Sequence, residues 1–141
     1  MRIMALDYGS KTVGVALSDP TLTIAQPFET ITRQSENKLR RTLARIEEIV
    51  REFDVSLVVL GLPLNMDGSS GERVERTMEF KEKLEHRLKK DIIFEDERLS
   101  TIEAKEILKE MGVKLEDYKK YVDKIAAAQI LEDYMKRLQG E

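Results

Sequence analysis

The chain contains no cysteine, which excludes disulfides, cysteine-based zinc sites and thiol nucleophiles. Its single histidine, His86, cannot build a multi-histidine metal site or a Ser-His pair without help from carboxylates. His86 stands among Glu85, Arg87 and Lys90 on a polar stretch and reads as a surface residue. No apolar run approaches the roughly 18 residues of a membrane span. The opening MRIMALDYG has no apolar stretch long enough for a signal peptide, so a cytoplasmic protein with no membrane partner is expected. A net basic charge is also lacking: 24 Lys and Arg face 27 Asp and Glu, giving −3. Taken whole, that is not the footprint of a basic nucleic-acid binder.

What is present fits a single domain, residues 1–141. The 141 residues carry 41% hydrophobic side chains, enough for one core, and 36% charged ones, so a surface dense in ion pairs is expected. Three short β-rich segments come first, Ile3–Asp7, Val13–Ser18 and Ala25–Ile31, with Pro27 marking an edge or bulge in the third. Leu39, Leu43, Ile46 and Ile49 recur at helical spacing and predict a helix over 37–53. SLVVLG at 56–61 suits a strand buried on both faces. A helix over 71–90 follows, with Ser69 and Glu72 as its capping box and Val74, Met78, Leu84 and Leu88 as its apolar stripe. DIIFE at 91–95 is a fifth strand. Ser100 and Glu103 open a further helix stopped by Gly112, and a last helix covers 117–138. The order β-β-β-α-β-α-β-α-α predicts an α/β fold. Three meandering strands and two reached through helical crossovers form a mixed five-stranded sheet with helices on both faces. The ribonuclease-H-like fold has this order, with the first strand central.

Four segments could carry chemistry. Asp7 ends the first strand, where ligands of open α/β sheets bind, and Gly9 and Lys11 follow in the turn. Gly9 permits close approach of a phosphate and Lys11 supplies charge; Asp7 could equally be a turn residue. The loop 61–71 mixes apolar residues with Asn65, Asp67 and Ser69, and the helix start after it could hold a phosphate through free N–H groups. Glu95, Asp96 and Glu97 repel one another unless a cation or Arg98 neutralises them. Strand alternation sends Asp96 and Glu97 to opposite faces. Asp123 shares a helix face with Ala126, Ala127, Ile130 and Tyr134, a small-residue stripe suited to close approach on a sheet; it could instead only complement the helix dipole. Together, Asp7, Glu97 or Asp96, and Asp123 lie where such a fold gathers carboxylates, and clustered carboxylates bind Mg²⁺ or Mn²⁺.

The segments DYGSKTVGVALSD, GLPLNMDGSSGE, DERLST and VDKIAAAQILEDY resemble, in order, the four signature segments of the YqgF family, also called RuvX. The resemblance covers nearly the whole chain. It implies a ribonuclease-H-like fold and a Mg²⁺- or Mn²⁺-dependent endonuclease that processes the 5′ end of pre-16S rRNA in ribosome biogenesis. A Holliday junction resolvase acting on branched DNA and a non-catalytic ribosome-assembly module stay open as alternatives. By motif, Asp7 matches the first metal ligand, Glu97 (with Asp96 beside it) the second and Asp123 the third. Lys11 or Arg98 would steady the developing charge. An actin-like ATPase or sugar kinase also starts with Asp-x-Gly, but such enzymes clasp ATP between two domains. A pre-rRNA trimming enzyme could work as a monomer, whereas junction resolution calls for a dimer.

The charge distribution reopens the question of nucleic acid. Residues 1–45 hold seven Lys and Arg against four acids, a net +3 within a chain of −3. KLRRTLAR, residues 38–45, has four cations and no acid. Lys38, Arg40, Arg41 and Arg45 could form a phosphate-contacting ridge or a solvated helix face.

Overall fold

Five strands pair in the order β3-β2-β1-β4-β5: β1 Arg2–Tyr8, β2 Thr12–Ser18, β3 Ala25–Thr32, β4 Val55–Leu62 and β5 Ile92–Asp96. The computed structural model describes residues 1–63, 71–96 and 100–140, without the side chains of 100–104 and 119–120. β1 pairs antiparallel with β2 and parallel with β4. The β2–β3 pair is antiparallel and the β4–β5 pair parallel. The mixed sheet and the central first strand are those expected from the order of elements. Ile3, Met4, Ala5 and Leu6 of β1 are wholly buried, as are Val58, Val59 and Leu60 of β4. That explains their uninterrupted apolar runs. Pro27 sits on the edge strand, opposite Ala16, where the β2–β3 register slips.

Alternation along β1 divides the molecule. Met4, Leu6 and Tyr8 face one core, completed by Ile46 and Ile49 of α1 (Arg40–Glu52) and Phe80 and Leu84 of α2 (Glu72–Leu88). Ile3 and Ala5 face the other, completed by Ala127, Ile130 and Leu131 of α4 (Tyr118–Leu138). α3 (Ser100–Glu110) packs on α4. Burying each large apolar side chain of these cores stabilises the fold by about 1.5–3 kcal/mol. Gly112 follows α3 with φ +77°, the left-handed stop its sequence position predicts.

Two helix readings need correction. α2 buries Val74, Thr77, Phe80 and Leu84, while Met78 is exposed. The inward stripe runs through Thr77 and Phe80, and the Thr77 hydroxyl is satisfied by the Arg73 carbonyl at 2.7 Å. The N-cap of α2 is Gly71, with no side-chain cap, in place of the Ser69–Glu72 capping box. Ser69 itself lies outside the described residues.

Candidate active site

Asp7 continues the alternation of Ile3 and Ala5, so it projects on the α4 side at the C-terminal end of the central strand. Its cross-strand partner is Gly14 of β2. A Cβ on Gly14 would lie 2.0 Å from the backbone carbonyl oxygen of Asp123, so only glycine admits α4 here. The close approach brings the Asp123 backbone directly over the residue paired with Asp7. The Thr12 hydroxyl donates to Asp123 Oδ2 at 2.5 Å and fixes the orientation of that carboxylate. Asp7 and Asp123, read from motifs far apart in the chain, are thus brought together, and both are half-buried.

The turn between β1 and β2 is closed by the Gly9 N–H donating to the Thr12 carbonyl at 2.7 Å. That N–H is therefore committed to the protein, so what Gly9 offers a phosphate is its lack of a side chain. A side chain at Gly9 would press on Thr12 at 3.1 Å, so its smallness serves the turn. Lys11 is exposed next to it.

The acidic run at the end of β5 is only partly described. Glu95 is 7% exposed and on the α4 side, where Arg137 of α4 pairs with it. Burial pushes the Glu95 carboxyl above its usual range, and the Arg137 guanidinium opposes that rise. Burial also raises Asp133 of α4, whose charge acts on Glu95. Asp96 is exposed and alternates to the side of Phe94, which packs against the α1–α2 core, so it is not brought to Asp7 and Asp123. Glu97 and Arg98, like Asn65 and Ser69, lie outside the described residues. Among the described residues no group of three His, Asp or Glu could hold a metal. The two that meet, Asp7 and Asp123, offer the hard carboxylate oxygens that Mg²⁺ and Mn²⁺ prefer.

The predicted basic ridge divides. Arg45 is held by Glu29 through Nε at 2.9 Å and Nη2 at 2.7 Å, with Glu48 beyond. A bidentate carboxylate satisfies it, which removes Arg45 from the phosphate ridge. Lys38, Arg40 and Arg41 are exposed. Three residues that the motifs did not single out matter here: Thr12, Gly14 and Arg33. Thr12 and Gly14 stood inside a quoted motif, but their role depends on a helix that follows about a hundred residues later.

A mixed sheet centred on β1, with one carboxylate at the end of that strand and another on the last helix, defines an α/β protein of the ribonuclease-H-like fold. Solved structures agree. RuvC of T. thermophilus in complex with Holliday junction substrate aligns with a TM-score of 0.61 at 14% identity, covering 98% of this chain and 96% of that one. The fowlpox virus Holliday junction resolvase aligns at 0.57 and 18% identity, covering 98% and 99%. At these identities the likeness establishes the fold. The model of the RuvX family, described as Holliday junction resolvase, matches residues 1–137. A protein of Lachnospira eligens named "Putative pre-16S rRNA nuclease" is 53% identical over 139 residues, 99% of each chain. One of the same name from Agathobacter rectalis is 50% identical over 135 residues, covering 96% of this chain and 94% of that one. This chain belongs to the RuvX family, also called YqgF.

Proposed function

We propose that this chain is a divalent-metal-dependent endonuclease that hydrolyses phosphodiester bonds in the 5′ region of pre-16S rRNA. The observation that carries the reading is the meeting of Asp7 and Asp123 across Gly14 at the C-terminal end of the central strand. The names of the relatives at 53% and 50% identity support the RNA substrate.

In this reading Asp7 and Asp123 hold Mg²⁺ or Mn²⁺, and Glu97 is the third ligand in preference to Asp96. Asp96 alternates to the α1–α2 side, away from Asp7 and Asp123. When bound, the cation supplies Lewis-acid charge at the scissile phosphate. Thr12 keeps the Asp123 carboxylate turned to its task. Lys11, exposed in the neighbouring turn, steadies negative charge on the phosphoryl oxygens.

Asp7→Asn should keep the fold and reduce Mn²⁺-dependent cleavage of a pre-16S rRNA fragment by at least about a hundredfold, as removal of a charged group acting at the transition state does. Cleavage at the wild-type rate would refute the site. The description of the family as Holliday junction resolvase favours a second reading, cleavage of four-way DNA junctions. One preparation offered both substrates decides between them. Full complementation of a depleted strain by Asp7→Asn would instead support a non-catalytic assembly role.

A further inference from the structure

Ten arginines lie within the described residues, and the partners they take are unevenly shared. Arg45, Arg51, Arg73, Arg76, Arg87 and Arg137 each pair with a carboxylate. Arg2 donates to the Ser18 carbonyl and lies over the Phe53 ring. The remaining three, Arg33, Arg40 and Arg41, have no carboxylate partner among the described residues, and all three line one groove of about 780 Å³ together with Lys38, Gln34 and Asn37. In a chain with more acids than bases, a groove holding four cations and no acid in its lining runs against the pairing seen elsewhere.

The groove is built, not merely charged. The Arg33 guanidinium lies 4.8 Å from the centre of the Tyr8 ring and donates to the Gly9 carbonyl at 2.6 Å. Its Nε and Nη1 are buried without a hydrogen-bond partner. A half-buried guanidinium neutralised only by one carbonyl and a ring face is incompletely compensated. The helix beside it adds to the imbalance. α1 starts at Arg40 with no side-chain cap and no acid in its first turn, and two arginines stand there instead. Cations at a helix N-terminus oppose the dipole, and uncapped N–H groups lack acceptors. An anion in the groove would satisfy the guanidinium, the two arginines and the helix start at once.

We infer that this groove holds a backbone phosphate of the substrate strand, next to the one that is cut. The inference rests on the proposed nuclease reading and adds the path of the strand. Arg33 is hydrogen-bonded to both ends of the turn that carries Lys11: its side chain to Gly9 and its backbone N–H to the Lys11 carbonyl at 2.8 Å. The strand therefore runs from Asp7, over the Gly9–Lys11 turn, to the opposite side of the sheet edge, where Arg33, Lys38, Arg40 and Arg41 hold it.

The test measures binding of a fluorescein-labelled single-stranded RNA in EDTA, so that cleavage plays no part. Arg40→Ala/Arg41→Ala should weaken binding about tenfold near physiological salt and flatten the slope of log K against log[salt] by about 0.7, the share of one phosphate on a single strand. Its melting temperature should stay level or rise, because two cations leave a helix N-terminus. Arg51→Ala/Arg87→Ala removes the same charge from ion-paired positions and should bind as wild type. Equal losses in both double variants, or no loss in the first, would overturn the inference. So would AMP binding as tightly as the strand and being lost in Arg40→Ala/Arg41→Ala, which would make the groove a mononucleotide site. Asp7→Asn separates the two readings: it should bind RNA normally, and its continued cleavage would refute the catalytic site while leaving the groove standing.

Discussion

On one side of β1, Ile3, Ala5 and Asp7 meet α4; on the other, Met4, Leu6 and Tyr8 meet α1 and α2. The α4 side is lined with small residues, Gly14, Ala16, Ala126 and Ala127, and helix backbone rests on strand backbone. The α1–α2 side is filled by Phe80, Leu84, Ile46 and Ile49, and Tyr8 stacks on Phe80 with ring centres 4.2 Å apart. Closeness on the first side sets the Asp123 backbone over Gly14, the strand neighbour of Asp7. Bulk on the second holds a ring within reach of two arginines: Arg33 at 4.8 Å and Arg73 at 5.3 Å from the Tyr8 ring. At this end of one strand, Asp7 thus projects toward α4, while on the other face the Tyr8 ring lies near Arg33 and near Arg73, itself paired with Glu36.

If that contrast is right, the two sides fail in opposite ways. Removing volume should do most harm on the α1–α2 side. Phe80 is fully buried, and Phe80→Ala should cost about 3–5 kcal/mol in urea denaturation, with the Tyr8 ring losing its stacking partner. Adding volume should do most harm on the α4 side. Gly14→Ala sets a methyl group 2.0 Å from the Asp123 carbonyl oxygen, and neither backbone can yield without moving the helix. A loss near 3 kcal/mol, the upper part of the overpacking range, is expected together with loss of cleavage. A folded, active Gly14→Ala protein would break the comparison. Gly112→Ala is the control: it has open space around it but φ +77°, so it should cost only about 1 kcal/mol.

Much of this was legible in the sequence, and the reason is local. The strands of β1 and β4 announce themselves as apolar runs because both their faces are buried, and the crossover lengths then order the sheet. Asp7 and Asp123 were readable because each stands against an apolar background where a charge is costly. What the sequence hid depends on neighbours far along the chain. Thr12 and Asp123 are 111 residues apart. Gly14 reads as an ordinary strand glycine until the helix above it is placed. Arg45 looks like its neighbours in KLRRTLAR until Glu29 is found beside it. Met78 satisfies a helical period as well as Phe80 does; the sheet it packs against makes the choice.

The Glu95–Arg137 pair at the end of β5 tests the α4 side electrostatically. Glu95 has its folded-state pKa raised by burial, so its ionised form opposes folding, and stability contributed by the neutral form is lost as pH rises through that pKa. Arg137 offsets this cost. Arg137→Ala should therefore destabilise the protein more at pH 8 than at pH 5, by about 1 kcal/mol at the higher pH, since the arginine is itself half exposed. An equal loss at both pH values would mean that Arg137 acts only through packing.

The smallest expected change in stability separates holding the acids together from holding the fold together. Thr12→Val keeps the shape of the side chain and removes the hydroxyl that donates to Asp123 Oδ2. The contact is partly exposed, and the Gly14–Asp123 backbone approach survives, so α4 stays docked and the stability loss should be about 1 kcal/mol or less. The carboxylate, however, loses the bond that fixes its rotation, and a group misplaced by a fraction of an ångström cannot hold a cation well. Cleavage at limiting Mn²⁺ should fall about tenfold and recover in part as Mn²⁺ is raised, the behaviour of a weakened supporting contact to a metal ligand. A loss of stability without a change in Mn²⁺ dependence would assign Thr12 to the packing of α4 alone, and would leave the small-residue face as scaffold and not as the frame of the site.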